Sequence, residues 1–350
     1  MTSRDIPTIA ITVGDFNGIG PEVALKSIAR PAVQRICTPV LVGPEEVFRY
    51  YWRKAKMAGE FQPVHGSSVV NFAGGERRRG SILLEPLAMS SGRISPGTLS
   101  RAAGLTALEA LTLGVRLART GAVDALVTAP LSKVAIHKAG SRFPGQTEIL
   151  QHLTSSSKVG MVLQSPRMRV GLATIHIPIR EVAREITGRL LHTKVETFRH
   201  ALVQDWGIRN PKIAILGLNP HAGEQGEIGI EDEKIVTPAV TRMRSRGWNI
   251  AGPFPADGFF GSGAYRAYDL IVAMYHDQGL IPLKMQAFRT GVNVTVGLPI
   301  VRTSSDHGTA FDIAGKGVAD AQSMTEAIKL AVEIVHNRRR SRGLNRRRAR

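Results

Sequence analysis

Three histidines, His176, His221 and His276, each stand a few residues beyond a short apolar run. Imidazole is the commonest metal-binding side chain, and three of them leave coordination positions open to water and substrate, the arrangement of a catalytic ion. Their separations of 45 and 55 residues form no local metal signature, so on spacing alone a hydrogen-bonded loop histidine is the simpler reading of each. Further on, Lys284, Asn293 and Arg302 put two cations and an amide in a segment otherwise low in charge, a set suited to carboxylate or phosphate. Lys284 reads equally well as a surface residue. Glycines 14, 18 and 20 precede Pro21 in a turn that could cradle a phosphate at a helix N-terminus. The spacing is not G-x-G-x-x-G, and a tight strand-to-helix turn explains it as well. In residues 306–316 small and polar residues alternate, as where backbone lies against a planar ligand or a glycine-rich loop packs on a sheet.

The elements that must position these residues read as α/β. Runs rich in Val, Ile, Leu and Ala at residues 9–13, 125–128, 170–174, 213–218 and 270–274 are expected to be buried strands, with helical periodicity between them. Each run is followed by polar residues: the 14–20 turn, Pro130 and Lys133, His176, the Asn219-Pro-His-Ala-Gly-Glu224 stretch, and His276-Asp-Gln-Gly279. In open α/β sheets the carboxyl ends of strands line the ligand crevice, so these groups are candidates to converge. Leu105, Leu108, Leu111 and Val115 predict one apolar helix stripe, and Ser323-Met-Thr-Glu326 reads as a capping box opening a helix with Ile328, Val332 and Val335 inward. Gly74-Gly75 with Arg77 to Arg79 reads as an exposed loop. No Pro/Ser-rich linker marks a domain boundary.

Composition bounds the possibilities. The 350 residues suffice for two domains or one large one, and 43% hydrophobic with 21% charged residues excludes wholesale disorder. No apolar run approaches the roughly 18 residues needed to cross a bilayer, and the run at 9–13 is too short for a secretory signal. The single Cys37 excludes an internal disulfide and a cysteine-rich zinc module, and fits a reducing cytoplasm. The formal charge of +18 invites a nucleic-acid partner, but the last thirteen residues hold eight arginines and no acid, leaving +10 for the rest. Residues 338–350 are therefore expected to be a solvated, disordered basic tail, with no nucleic acid and no membrane as partner, and the remaining excess suits an anionic substrate.

Taken together, the motifs resemble one family. Gly14-Asp15 with Gly18-Ile-Gly-Pro-Glu22, Gly145-Gln-Thr-Glu148, the 219–224 stretch, Gly252-Pro-Phe-Pro-Ala-Asp257, His276-Asp-Gln-Gly279 and Arg302-Thr-Ser-Ser-Asp-His-Gly308 with Asp312-Ile-Ala-Gly315 occur in the order found in 4-hydroxythreonine-4-phosphate dehydrogenases of pyridoxal phosphate biosynthesis. The resemblance runs from about residue 9 to residue 335. It implies a two-domain α/β subunit like isocitrate and isopropylmalate dehydrogenases, with the active site in the interdomain cleft. The expected division is 1–135 with 295–337 on the cofactor side, and 136–294 as the middle domain carrying metal, substrate and dimer contacts. A homodimer is implied, with one divalent ion (zinc, magnesium or cobalt) at the subunit interface. His176 would come from one subunit and His221 with His276 from the other, or the reverse.

The same resemblance assigns substrate contacts to Gln146, Thr147, Lys284, Asn293 and Arg302, and NAD or NADP contacts to the loop holding His307, Gly308, Asp312 and Gly315. It implies oxidation of a phosphorylated hydroxy acid followed by decarboxylation, with Asp257, Asp277 or Lys133 taking the proton. Three departures stand out: Gln146 where the family usually has histidine, Phe16-Asn17 where Pro-Ala is common, and Gly258 where threonine is usual. A glutamine can donate a hydrogen bond but cannot titrate. Oxidation of a phosphorylated threonate or erythronate, or of an aromatic cis-dihydrodiol such as that of terephthalate, is the alternative these departures keep open.

Overall fold

The computed structural model describes residues 6–65, 83–88 and 93–348, with side chains as far as residue 341. The expected loop at Gly74-Gly75 and Arg77 to Arg79 lies outside the described residues. Two compact units emerge, Met1–Ser156 with Leu298–His336, and Ser157–Gly297 with Asn337–Arg350.

The first unit is built on six parallel strands: β1 (Thr8–Thr12), β2 (Thr38–Gly43), β3 (Val64–His65), β4 (Leu83–Pro86), β5 (Ala125–Thr128) and β12 (Arg302–Ser305), in the order β3-β4-β2-β1-β5-β12. Its helices are α1 (Gly20–Ile28), α2 (Pro31–Gln34), α3 (Glu45–Lys54), α4 (Arg101–Thr120), α5 (Lys133–Lys138), α6 (Gln146–Thr154) and the start of α12 (Gln322–Arg348). Parallel strands covered on both faces read as continuous apolar runs, which is why β1 and β5 are so plain in the sequence and are almost wholly buried. Helix α4 buries a different stripe from the one predicted. Ala103, Gly104, Ala107, Ala110 and Gly114 face inward with Leu111 and Val115, while Leu105 and Leu108 are only half-buried. Small residues are needed there because α5 crosses closely: a Cβ on Gly104 would stand 2.1 Å from the Ala135 carbonyl oxygen.

The second unit carries β6 (Gly160–Ser165), β7 (Met168–Leu172), β8 (Ile213–Leu216), β9 (Ile250–Phe254), β10 (Leu270–Ala273) and β11 (Val292–Val296), in the order β11-β6-β7-β10-β8-β9. Strand β6 is antiparallel to both β7 and β11, whereas β7, β10, β8 and β9 run parallel. Helices α7 (Ile179–Glu185), α8 (Gly188–Gln204), α9 (Thr237–Ser245), α10 (Ala256–Gly261) and α11 (His276–Ala287) complete it. Phe198 of α8 lies on β6 and β7 where both are glycine, since a Cβ on Gly160 or Gly171 would meet its ring at 2.4 or 2.8 Å.

Three expectations are corrected. The units divide at 156/157 rather than 135/136, because α6 packs on α4 and Arg119 Nη1 donates to the Leu153 carbonyl at 2.8 Å; the second boundary falls at 297/298 rather than 294/295. Residues 338–348 are helical rather than disordered. Arginine is a good helix former, and buried Arg338 clamps Asp205 through Nε at 2.6 Å and Nη2 at 3.2 Å. The capping box does not form either: Ser323 Oγ accepts the Asp306 backbone N–H at 3.0 Å, and Asp320 Oδ1 takes the Gln322 N–H at 2.9 Å.

Candidate active site

In the second unit the three histidines follow three neighbouring parallel strands. His176 comes after β7, His276 after β10 and His221 after β8, and β10 lies between the other two. Parallel strands end on the same edge about 4.8 Å apart, so this order gathers the three segments without any local sequence signature. Side chains stitch that edge together. Thr174 Oγ1 donates to the Met274 carbonyl at 2.7 Å, and Gln278 bridges β10 to β8 by accepting from Met274 N and donating to the Gly217 carbonyl, each at 2.7 Å. The His176 and His276 rings lie 5.7 Å apart between centroids. Asp277 Oδ1 stands 2.6 Å from His276 Nδ1, which holds the proton on that nitrogen and turns Nε2 into the lone-pair donor. That carboxylate-backed imidazole beside a second one fits a divalent ion. Among the described residues of a single chain, no group of three or more His, Cys, Asp or Glu closes around a metal position.

His221 sits on unusual backbone. Residues 221–225 all adopt left-handed φ, from 39° at Glu224 to 81° at Gly223, inside the turn Pro220–Gly226. Four of the five are not glycine, and each such residue costs about 1–2 kcal/mol of strain, the kind of expense usually found at functional sites. Helix α10, which carries the exposed Asp257, touches this turn. On β11, Asn293 has a buried Oδ1 with no hydrogen-bond partner, an acceptor suited to a ligand donor. Lys284 lies half-buried on α11.

The first unit repeats the pattern. The 14–20 turn follows β1, Pro130 and Lys133 follow β5, and Asp306 and His307 follow β12, again on three adjacent parallel strands. Asp15 N donates to the Pro130 carbonyl at 2.9 Å, and Ile19 N to the Thr309 carbonyl at 2.9 Å. Gly18 is required there, because a Cβ would stand 2.8 Å from that same Thr309 oxygen. Asp15 is fully buried, its Oδ2 has no partner, and burial raises its pKa to about 6 against weaker lowering by the Asn17 and Gly18 backbone. Arg302 is buried at the start of β12, and desolvation lowers its pKa to about 9, so it remains a cation at neutral pH. Its Nη2 donates to Thr128 Oγ1 at 2.6 Å and to Gln146 Oε1. Gln146 Oε1 also accepts from Thr128 Oγ1 at 2.6 Å, while Nε2 donates to the Ala129 carbonyl at 3.1 Å. The amide thus spends both oxygen lone pairs and one N–H within the protein. Thr147 is buried beside it, and Lys133 lies against Gly145.

Residues 35–331 match the family model described as Pyridoxal phosphate biosynthetic protein PdxA. The chain is 42% identical over 333 residues to a 4-hydroxythreonine-4-phosphate dehydrogenase of Bacteroides thetaiotaomicron, covering 95% of this chain and 90% of that one. It is 41% identical over 334 residues to a D-threonate 4-phosphate dehydrogenase of Cupriavidus necator, covering 95% and 98% respectively. The crystal structure of a 4-hydroxythreonine-4-phosphate dehydrogenase from Klebsiella pneumoniae is similar with a TM-score of 0.81 at 40% identity, over 94% of this chain and 98% of that one. This chain belongs to the PdxA family.

As a PdxA family member it is an oxidoreductase of the dehydrogenase class with an α/β subunit. The structure brings His176, His276 and Asp277 together in one unit, and Gln146 with Arg302 in the other. His307, Gly308, Asp312 and Gly315 share one loop, of which Gly308 and Asp312 are exposed. Sequence reasoning took Thr128 only as the end of a strand, though it bonds both Gln146 and Arg302, and named Gln278 in a strand-end stretch without the role it has, tying two strand ends. It passed over Asp232, whose carboxylate holds the strand exit before His221. Thr128 and Gln278 were visible as polar residues within a strand-end motif; Asp232 gave no signal beyond its position in an acidic run.

Proposed function

We propose that this chain is a divalent-metal-dependent, NAD(P)-linked dehydrogenase acting on 4-hydroxy-L-threonine 4-phosphate. The product, a 2-amino-3-oxo acid, loses carbon dioxide to give 3-amino-2-oxopropyl phosphate on the way to pyridoxal phosphate. The observation that carries this is the histidine-bearing edge: the segments that follow β7, β10 and β8, three neighbouring parallel strands, each bring a histidine to it, His176, the Asp277-backed His276 and His221. His176, His221 and His276 would hold the ion, which would supply Lewis acidity to the substrate hydroxyl, with a nicotinamide as the hydride acceptor.

The protein's own groups do the rest. Arg302, fixed by Thr128 and Gln146, and Lys284 bind the anionic end; each charge-assisted hydrogen bond contributes about 1.5–3 kcal/mol. Asn293 and Thr147 orient the substrate, and Gln146 keeps one N–H to offer it. Asp257, Asp277 and Lys133 are the exposed groups for taking the hydroxyl proton, Asp277 with one of its two oxygens committed to His276. The loop with His307, Gly308, Asp312 and Gly315 receives the nicotinamide dinucleotide. The protein works as a cytoplasmic homodimer, consistent with a lone buried Cys37.

A second reading, oxidation of a 4-phosphorylated threonate, is favoured by the near-equal identity to the Cupriavidus necator relative and by Gln146 in place of histidine. A panel of 4-hydroxythreonine 4-phosphate, 4-phospho-D-threonate and an aromatic cis-dihydrodiol, followed by nicotinamide absorbance with added Zn²⁺, Mg²⁺ or Co²⁺, decides between them. The highest kcat/KM is expected for 4-hydroxythreonine 4-phosphate. A preference for the threonate would select the second reading, and a preference for the dihydrodiol would overturn both.

A further inference from the structure

The left-handed segment at His221 needs something to hold it, and the residue placed to do so is Asp232. Its side chain is buried in the second unit, at the start of the π-helical turn Asp232–Val236 that leads into α9. Oδ1 accepts the Leu218 backbone N–H at 2.8 Å. Oδ2 accepts the Asn219 backbone N–H at 2.9 Å and its Nδ2 at 3.1 Å. Glu231 Oε2 takes Asn219 Nδ2 as well, at 2.9 Å. The same carboxylate lies against the inside of the turn, since a Cβ on Gly223 would stand 3.5 Å from Asp232 Oδ2. Across the turn, a Cβ on Gly217 would stand 2.9 Å from Ala222 Cα, so the loop is seated tightly on the exit of β8.

Resting on the reading of His221 as an ion ligand, we propose that Asp232 is the positioning residue that sets its imidazole. The carboxylate joins the exit of β8 to the root of α9, both regular elements, and the five left-handed residues hang from that joint. A relaxed, right-handed turn would swing the His221 side chain elsewhere while leaving the strand intact. A carboxylate is needed because three N–H donors converge on two oxygens; an amide in its place offers one acceptor oxygen and, in either orientation, turns its NH2 toward at least one donor.

The test uses the full chain, stripped of metal with chelator and titrated with Co²⁺, whose visible absorption reports both affinity and ligand geometry. Asp232→Asn is expected to weaken Co²⁺ binding by about 10–100-fold, to change the visible spectrum, and to speed amide exchange at Leu218 and Asn219. Asp205→Asn breaks the buried pair with Arg338 in the same unit and serves as the control for simple destabilisation. It is expected to lower Tm without moving Co²⁺ affinity. Should Asp232→Asn fail to fold, Asn219→Ser removes only one of the three donors and is expected to weaken Co²⁺ in the same direction by less. Wild-type Co²⁺ affinity and spectrum in these variants, with affinity lost in His221→Ala, would overturn the role of Asp232 and leave the ligand assignment standing. Unchanged affinity in His221→Ala would instead remove the ligand assignment and this proposal with it.

Discussion

Asp15 is a carboxyl whose buried environment opposes its charge. It is a fully buried carboxyl in the 14–20 turn, near Tyr51, whose pKa is raised by burial first and then by the neighbouring Tyr50, Asp15 and Glu22. Its folded pKa of about 6 lies above the unfolded 3.8, so the native state favours the protonated form. That preference is fully present below pH 3.8 and is lost as pH rises to 6, a decrease in stability on the order of 3 kcal/mol, flat above that window. Asp15→Asn keeps an acceptor for the Asn17 N–H, now at 2.9 Å, and removes the charge. The variant should gain stability over the parent at pH 8 and lose that advantage by pH 4, as urea denaturation at both pH values would report. Gln146 offers the second prediction at this scale. A neutral imidazole has one acceptor nitrogen, so Gln146→His cannot accept from Thr128 and Arg302 while donating to the Ala129 carbonyl. KM for the phosphorylated substrate should rise roughly tenfold as Arg302 loosens, with kcat changing less, in steady-state kinetics.

Among elements, α4 and α5 cross with backbone close to backbone. Gly104→Ala would gain helix propensity, about 1 kcal/mol, but its methyl must enter space 2.1 Å from the Ala135 oxygen and 2.9 Å from the Ile136 nitrogen. Backbone cannot yield as a side-chain end can, so a net loss of about 2–3 kcal/mol is expected from the denaturation midpoint, together with displacement of Lys133 at the head of α5. This crossing also marks the limit of what the sequence makes legible. The five strands it reveals (β1, β5, β7, β8 and β10) are those that overlap a run of Val, Ile, Leu, Ala and Gly, and each lies within two residues of its expected bounds at either end, β7 starting before the run with Met168 and Arg169. Strands β2, β6, β11 and β12 escape because Pro39, Gln164, Asn293 and Arg302 interrupt them, and β3 is only two residues long. The stripe on α4 was misplaced because leucine was read as the inward side, whereas close helix approach selects Ala and Gly. The strand-end polar groups were legible from the order of runs and turns, but their adjacency was not: β10 inserts between β7 and β8 by a crossover that no local signal encodes.

At the scale of the whole molecule, the histidine-bearing segments share another property. Exposed aliphatic or aromatic side chains follow each of them: Ile177 and Ile179 after His176, Ile228 and Ile230 after His221, and Ile281, Met285 and Phe288 after His276. The last three are spaced to share one face of the α11 region, and Met285 and Phe288 are 84% and 78% exposed. Large apolar groups concentrated beside histidines call for a cover, and in the proposed homodimer a second copy of the chain would supply one and bring further histidines. Met285→Glu with Phe288→Glu should therefore shift the protein to monomer in sedimentation velocity and abolish turnover, because charges opposed across a two-fold axis repel twice. A mixing experiment tests the sharing itself. His176→Ala and His221→Ala chains are each expected to be inactive alone. If every site takes His176 from one protomer and His221 from its partner, a hybrid dimer holds one doubly damaged site and one intact site. Unfolding and refolding equal amounts together makes half the dimers hybrid, so about a quarter of the parent activity should return. If both histidines of a site came from the same protomer, every site in every dimer would carry one lesion, and the mixture would stay silent at any ratio.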